Sequence, residues 1–294
     1  MKESISAFIY FAGWRVIRWL PESFTYRSAY RIADLMVKRG GKSVQRLGEN
    51  LARTQPGIST RDLDLLVSAG MRSSLRYWCD TFRSADWSRE RVSGTVSVTN
   101  EHLLMNAIAA KTGVIVALPH AGNWDHAGAY FCDKGIKLVT VAERLKPEKL
   151  FLKFLEYRQA IGMEVLPIDG DVLSILQERI TEGSLVALVA DRDLSRSGID
   201  VDFFGGIARM PAGPAILALR SDAPLITAFV SYTPNGIHIE FNQLVIPTVG
   251  DEKQRVQQVV QMMAEEFEKG IAQHPQDWHM LQRVWVDGDF KDRD

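Results

Sequence analysis

The residues best suited to chemistry lie in one short stretch, His120-Ala121-Gly122-Asn123-Trp124-Asp125, where a histidine and a carboxylate are separated by four residues. An imidazole can take a proton near neutral pH. A carboxylate on one ring nitrogen fixes the tautomer and stabilises the imidazolium, which leaves the other nitrogen free as a general base. The spacing alone arises easily by chance, so its surroundings carry the weight. His120 ends the apolar run GVIVALP (113–119), and a Gly122-Asn123 turn opens the next helix. Asp125 then falls in the first turn of that helix, where the helix dipole favours an anion. Backbone amides of the turn are candidate donors for an oxyanion. A second carboxylate, Asp191, ends the run LVALVA (185–190) and leads into Arg192 and Asp193.

These positions make sense only if particular elements hold them. Short Val/Ile/Leu-rich runs at Gly113–Pro119, Lys137–Ala142, Glu164–Ile168, Leu185–Ala190 and Leu225–Ser231 alternate with helical stretches at Asp125–Asp133, Lys149–Ile161 and Asp171–Thr181. Continuous apolar strands with intervening helices predict an α/β fold, a mainly parallel central sheet flanked by helices. Ligands of such sheets sit at the carboxyl ends of the strands. Those ends carry His120, Asp191, Glu143-Arg144 and Asp169. Asn235-Gly236 before the alternating run Ile237–Phe241 predicts a hairpin, and Gln254–Ile271 a final amphipathic helix. Residues 23–54 and 60–85 read as two long helices broken at Pro56-Gly57. No linker interrupts the chain, so 1–294 reads as one domain with residues 1–54 as a helical extension.

Composition narrows the class. The 294 residues are 46% hydrophobic and 24% charged, with a net charge of -1, which excludes a disordered chain and gives no overall basic signal for nucleic acid. Two cysteines, Cys79 and Cys132, cannot build a disulfide framework. His126 beside His120 and Asp125 lacks the further ligands a metal would need, so no metal is expected. Charge is concentrated at the start: residues 1–53 hold ten Lys and Arg against four acids. Ile5, Phe8, Ile9, Ala12, Val16 and Ile17 form a helical stripe, edged by Tyr10, Trp14, Arg15, Arg18 and Trp19. The longest apolar stretch there, Ala7 to Trp14, is far short of the ~20 residues that span a bilayer. Aromatic rings and arginines at one helix edge suit an interface, so N-terminal amphipathic helices are expected to contact an anionic membrane surface. Peripheral attachment to the cytoplasmic face of the plasma membrane follows as an expectation.

Several blocks together resemble a known family. HAGNWD, VAERLKPEKL (141–150), ADRDLSRSGIDVDFFGG (190–206), RMPAGPAILAL (209–219) and PQDWHMLQ (275–282) are similar to the bacterial lysophospholipid acyltransferase superfamily, in its lipid A biosynthesis branch. The likeness runs from GWRVIRWLP (13–21) nearly to the C-terminus and is nearest to members that acylate mannosylated phosphatidylinositol. It implies an enzyme that moves a long acyl chain, palmitoyl, from acyl-CoA to the 6-hydroxyl of a mannose, with no cofactor beyond that donor. His120 matches the family's catalytic histidine, Asp125 its motif carboxylate and Arg158, in EYRQAIG, a functionally important arginine. Asp191 matches a position where the resemblance places a glutamate that partners the histidine. Aspartate is one methylene shorter, so the contact must be re-made by backbone shift, by water, or not at all. Arg144, Arg192, Arg196 and Arg209 are candidates for the donor's phosphates, and Asn123 and His279 complete the expected substrate-binding set. The absence of G-x-S-x-G argues against a serine hydrolase. Transfer to another glycolipid or lysophospholipid, or an inactive lipid-binding homologue, stays open at this point.

Overall fold

The computed structural model describes residues 13–143, 148–168, 170–193 and 195–286. Residues 13–19 are helical, followed by α1 (Glu22–Arg39), α2 (Lys42–Thr54), α3 (Thr60–Arg83) and the short α4 (Arg89–Gly94). The body then runs β1 (Val96–Thr99), α5 (Glu101–Ala110), β2 (Val114–Leu118), α6 (Trp124–Asp133), β3 (Leu138–Ala142), α7 (Glu148–Ala160) and β4 (Glu164–Pro167). It continues through α8 (Val172–Thr181), β5 (Leu185–Val189), β6 (Ile199–Phe203), β7 (Gly206–Met210), α9 (Gly213–Ser221), β8 (Leu225–Tyr232), β9 (Ile237–Gln243) and α10 (Glu252–Gln273).

Seven strands form one sheet in the order β1-β9-β8-β2-β5-β3-β4, and β6 and β7 form a separate antiparallel ribbon. Strands β8, β2, β5, β3 and β4 are parallel. The Asn235-Gly236 hairpin reverses the chain, so β9 runs antiparallel to β8. The expected mainly parallel sheet is therefore present. Period-two alternation sends the side chains of β2 to opposite faces. Ile115 and Ala117 join a core with Val259, Val260, Met263 and Phe267 of α10, while Val114, Val116 and Leu118 pack with Leu104, Ala127 and Phe131 on the other face.

The structure departs from the sequence reading in several places. The stretch 23–54 is two helices, because Gly40 takes a left-handed conformation (φ 64°) and caps α1. Strand β1, the β6–β7 ribbon and helix α9 are not among the expected elements; β1 and β6 do alternate apolar and polar residues, but over only four and five residues. Trp14, expected at an interface, is instead buried against Phe82, Phe154 and Tyr157, while Trp19 is 92% exposed. Tyr10 and the stripe from Ile5 to Ala12 lie outside the described residues. None of the described helices is long and apolar enough to cross a membrane.

A C-terminal segment ties these parts together. Asn50 of α2 donates to the carbonyls of Met280 (2.7 Å) and Gln282 (2.8 Å). Ala121 bridges to Trp278, and Ala208 of β7 bridges to Trp285. The N-terminal helices, the ribbon and the end of β2 are thus stitched to one strip of chain.

Candidate active site

Strand pairing explains why His120 meets Asp191. β2 and β5 are parallel neighbours with Leu118 opposite Val189, and the Ala190 N–H donates to the Leu118 carbonyl (2.8 Å). Two residues further on, the chains emerge together at the carboxyl edge. There His120 Nδ1 lies 2.6 Å from Asp191 Oδ1, and the His120 backbone N–H donates to Asp191 Oδ2 (3.0 Å). The shorter aspartate therefore reaches the imidazole directly. Asp191 is fully buried, and the Trp278 indole N–H donates to its Oδ2 (2.8 Å). Burial opposes ionisation of this carboxyl, but the adjacent His120 and the three N–H groups outweigh it and hold the carboxyl below its usual range. The His120 side chain is 39% exposed. With Nδ1 facing Asp191, Nε2 is the ring nitrogen left on the other side.

The turn after His120 is fixed from below. Gly122 has φ +57°, and a Cβ there would lie 2.4 Å from the Val230 carbonyl oxygen, so no other residue fits without displacing β8. Its N–H donates to the Asp277 carbonyl (2.8 Å), and the His279 N–H donates to the His120 carbonyl (2.8 Å). The Gly122 amide is thus already engaged and does not face a developing oxyanion. Asn123 is fully buried as the N-cap of α6: its Oδ1 accepts from the His126 N–H (2.9 Å), and its amide donates to Asp80 Oδ2 (3.4 Å). The side chain of Asn123, expected in the substrate-binding set, is used here in building the turn.

Asp125 sits in the first turn of α6 as expected, but its hydrogen bonds lead away from His120. Its Oδ1 accepts from Arg158 Nε (2.9 Å) and its Oδ2 from the Tyr77 hydroxyl (2.9 Å). The carboxylate is 2% exposed and the guanidinium side chain 19%. Burial disfavours the charged guanidinium, yet the neighbouring Asp125 carboxylate overrides it and raises the Arg158 pKa above its ordinary value. Arg158 is therefore no solvated surface arginine. It locks α7 to α6, and Tyr77 adds α3 while stacking on Trp124 at 4.3 Å between ring centroids.

The remaining expected residues are scattered. His279 Nε2 lies 2.9 Å from Ser73 Oγ, which donates to Asp277 Oδ1 (2.7 Å). Burial, reinforced by the charge of nearby His120, pushes the His279 imidazole down to about 3, so it is neutral. Arg209 of β7 reaches across the ribbon to Asp200 Oδ1 (2.5 Å) and to the Ser195 carbonyl (3.1 Å). This cross-strand pair accounts for Arg209 structurally. Arg192 is half-buried next to Asp191, Arg196 is exposed before β6, and Arg144 lies outside the described residues. The sequence reading missed Tyr77, Ser73 and Trp278. Only the last stands in a recognisable block, and nothing in the spacing points to the other two.

Beside these groups runs a narrow apolar cavity of about 70 Å³. Val116, Leu118, Val189 and Val230 of the sheet form one wall, and Phe131 of α6 faces them. Trp124, Asp125 and Arg158 line the polar end. The Trp124 ring meets the His120 ring edge-on at 5.6 Å, so the cavity reaches the base through one aromatic side chain.

Residues 1–287 match the model of the bacterial lipid A biosynthesis acyltransferase family. The chain belongs to that family. It is 38% identical over 280 residues to the phosphatidylinositol mannoside acyltransferase of Mycolicibacterium smegmatis, covering 94% of this chain and 90% of that protein. It is also 38% identical over 283 residues to the protein of the same name from Mycobacterium tuberculosis, covering 94% and 87%. Family membership supplies a reaction type, acyl transfer, to which a half-exposed imidazole beside an apolar cavity is suited.

Proposed function

We propose that this acyltransferase moves a palmitoyl chain from acyl-CoA to the 6-hydroxyl of a mannose on phosphatidylinositol mannoside, with His120 as general base. The observation that carries the reading is the His120–Asp191 pair, open to solvent on one side and adjoining an apolar cavity through Trp124. A sugar hydroxyl is a poor nucleophile at neutral pH. Nε2 of His120 takes its proton as the oxygen attacks the thioester carbonyl, worth about 10²–10⁴ in rate for a positioned base. The C–O bond forms, the C–S bond breaks, and the imidazolium returns the proton to the departing thiolate. Asp191 stabilises the imidazolium between those events. No covalent acyl-enzyme is needed. The acyl tail occupies the cavity, where burying a sixteen-carbon chain contributes on the order of 10 kcal/mol at about 0.8 kcal/mol per methylene. Arg158, at the polar end of that cavity, lies where the thioester would meet the sugar. Arg192 and Arg196, on the loop after Asp191, are the cations proposed to meet the donor's phosphates.

An exposed surface of apolar and cationic side chains supports a lipid acceptor. Val16, Trp19, Phe24, Ile32 and Leu35 are exposed apolar side chains on residues 13–19 and α1, interleaved with exposed Arg15, Arg27 and Arg31. This is the pattern of an interfacial surface, apolar groups for the acyl boundary and cations for anionic headgroups. Residues 13–19 pack through Trp14 on Tyr157, next to Arg158 on α7, so the same helix links this surface to the cavity. A peripheral position on the cytoplasmic face of the plasma membrane is part of this proposal.

The deciding experiment incubates purified protein with palmitoyl-CoA and a panel of acceptors: a phosphatidylinositol mannoside, a lysophospholipid and a lipid A precursor. Acylation of the mannoside is expected. Acylation of lysophosphatidate alone would overturn the acceptor, and transfer to none would favour a lipid-binding homologue. Charge reversal at Arg15 and Arg31 should reduce co-sedimentation with anionic vesicles by roughly tenfold or more, at about 1 kcal/mol per lost cation. Unchanged sedimentation would remove the membrane part of the proposal.

A further inference from the structure

Three consecutive residues, Asp277, Trp278 and His279, contact three others, His120, Ala121 and Gly122. The Asp277 carbonyl accepts from Gly122, Trp278 bridges to Ala121, and the His279 N–H donates to the His120 carbonyl. From the middle of this clamp the Trp278 indole reaches Asp191 Oδ2 at 2.8 Å, on the same oxygen that accepts the His120 backbone N–H. Trp278 has no exposed surface, so water cannot replace its N–H. A buried carboxylate depends on each donor it has, because an unmade hydrogen bond there is not recovered from solvent.

We propose that Trp278 is a positioning residue of the His120–Asp191 pair: its indole N–H orients Asp191 and withdraws charge from it, setting how strongly the carboxylate holds the imidazolium. This deepens the acyl-transfer reading and rests on it for its kinetic consequence, but the ionisation of the pair can be read without any substrate. The titratable groups facing the pair are few. His279 is neutral and lies near His120. Arg192 and Asp193 follow Asp191 on its own loop. Asp125, on α6, is paired with Arg158 of α7, and Asp277 is held by Ser73. Among the described residues, the hydrogen bonds to Asp191 come from the His120 backbone N–H, the His120 ring and the Trp278 indole.

If the indole is removed, Asp191 keeps more of its negative charge unshared and the imidazolium is held more tightly. In Trp278→Phe the midpoint of the His120 ring titration, followed by NMR, should rise by about half a unit to one unit. The acid limb of the pH–rate profile for transfer should move with it. Trp278→His, which restores an N–H donor in a smaller ring, should bring the midpoint part of the way back. The unsubstituted protein supplies a measurement that needs no variant to fold. The Trp278 indole resonance should move with the His120 midpoint. The Trp285 indole, which donates to the Phe203 carbonyl (2.9 Å), should not. An indole resonance that stays fixed through the titration, or a folded Trp278→Phe with an unmoved midpoint, would overturn the proposal. Should the ring midpoints behave as stated while the protein transfers no acyl group, the positioning role stands and the acyl-transfer reading fails. Normal transfer with a fixed indole resonance would do the reverse, removing the positioning role and leaving the acyl-transfer reading in place.

Discussion

His120 and Asp125 stand five residues apart in one motif, yet the structure gives them opposite surroundings. His120 leaves the end of β2, is 39% exposed, and pairs with a carboxylate from the neighbouring strand. Asp125 lies inside the first turn of α6, is almost fully buried, and pairs with Arg158 and Tyr77 from two other helices. A single sequence signature has thus been divided between a group open to solvent and a group that holds elements together. The carboxylate nearest to the histidine in sequence is not its hydrogen-bond partner. The partner comes from a strand 71 residues away, because parallel neighbours end at the same edge.

The division predicts opposite failures, and these are the largest effects expected. His120→Ala removes the proposed base from a half-exposed position. Acyl transfer should fall by about 10²–10⁴-fold, while the urea midpoint of unfolding changes little. Asp125→Ala leaves the Arg158 guanidinium mostly buried beside an apolar cavity with no counter-charge. Breaking such a pair costs about 3–5 kcal/mol, so the loss should appear first in the unfolding midpoint. The comparison has an internal check. Replacing both partners, Asp125→Ala with Arg158→Met, removes the stranded charge and should recover much of that stability. If Asp125→Ala instead keeps full stability and loses transfer alone, the two residues share one role and the contrast between them breaks down.

Much of this arrangement is legible in the sequence. The runs ending in His120 and Asp191 are continuous and β-branched, and such runs read as buried parallel strands whatever their order. Their polar ends can be listed, but their adjacency cannot, since strand order is set by packing between elements far apart in the chain. That is why the His120–Asp191 contact is conditional in the sequence and Asp125 looks the nearer partner. Arg158 shows the opposite difficulty. Beside Lys153 and Glu156 it reads as part of a solvated helix face, and only the packing of α7 on α6 turns it inward. Asn123 looks like a ligand-facing amide because N-capping and ligand contact draw on the same residue types. The ribbon β6–β7 escapes the sequence reading although Ile199, Val201 and Phe203 alternate with Asp200 and Asp202, because its strands are only five residues long within a block rich in Gly, Ser and charge, and Arg209 then looks available when Asp200 already holds it.

A third histidine sharpens the comparison between an exposed and a sealed titratable group. His126 follows Asp125 in α6 and is 2% exposed, with Nε2 3.3 Å from Thr95 Oγ1 and the Trp87 ring edge-on at 4.8 Å. Burial pushes its imidazole down to about 4, so it stays neutral in the folded protein well below the pH at which an unfolded histidine charges. Between roughly pH 6.5 and 4 the unfolded chain therefore binds a proton that the folded chain refuses, and stability must fall as pH falls through that window. The shift corresponds to about 3 kcal/mol when complete. Asp80 works the other way. Burial raises it to about 6, so its contribution is lost as pH rises. The informative quantity is thus a difference: unfolding free energy from urea titrations at pH 7 and pH 4.5, for the natural protein and for His126→Gln. The variant should lose about 2 kcal/mol less on acidification. Equal losses would mean that His126 accepts a proton inside the fold, and that seclusion, which separates it here from His120, does not govern its charge.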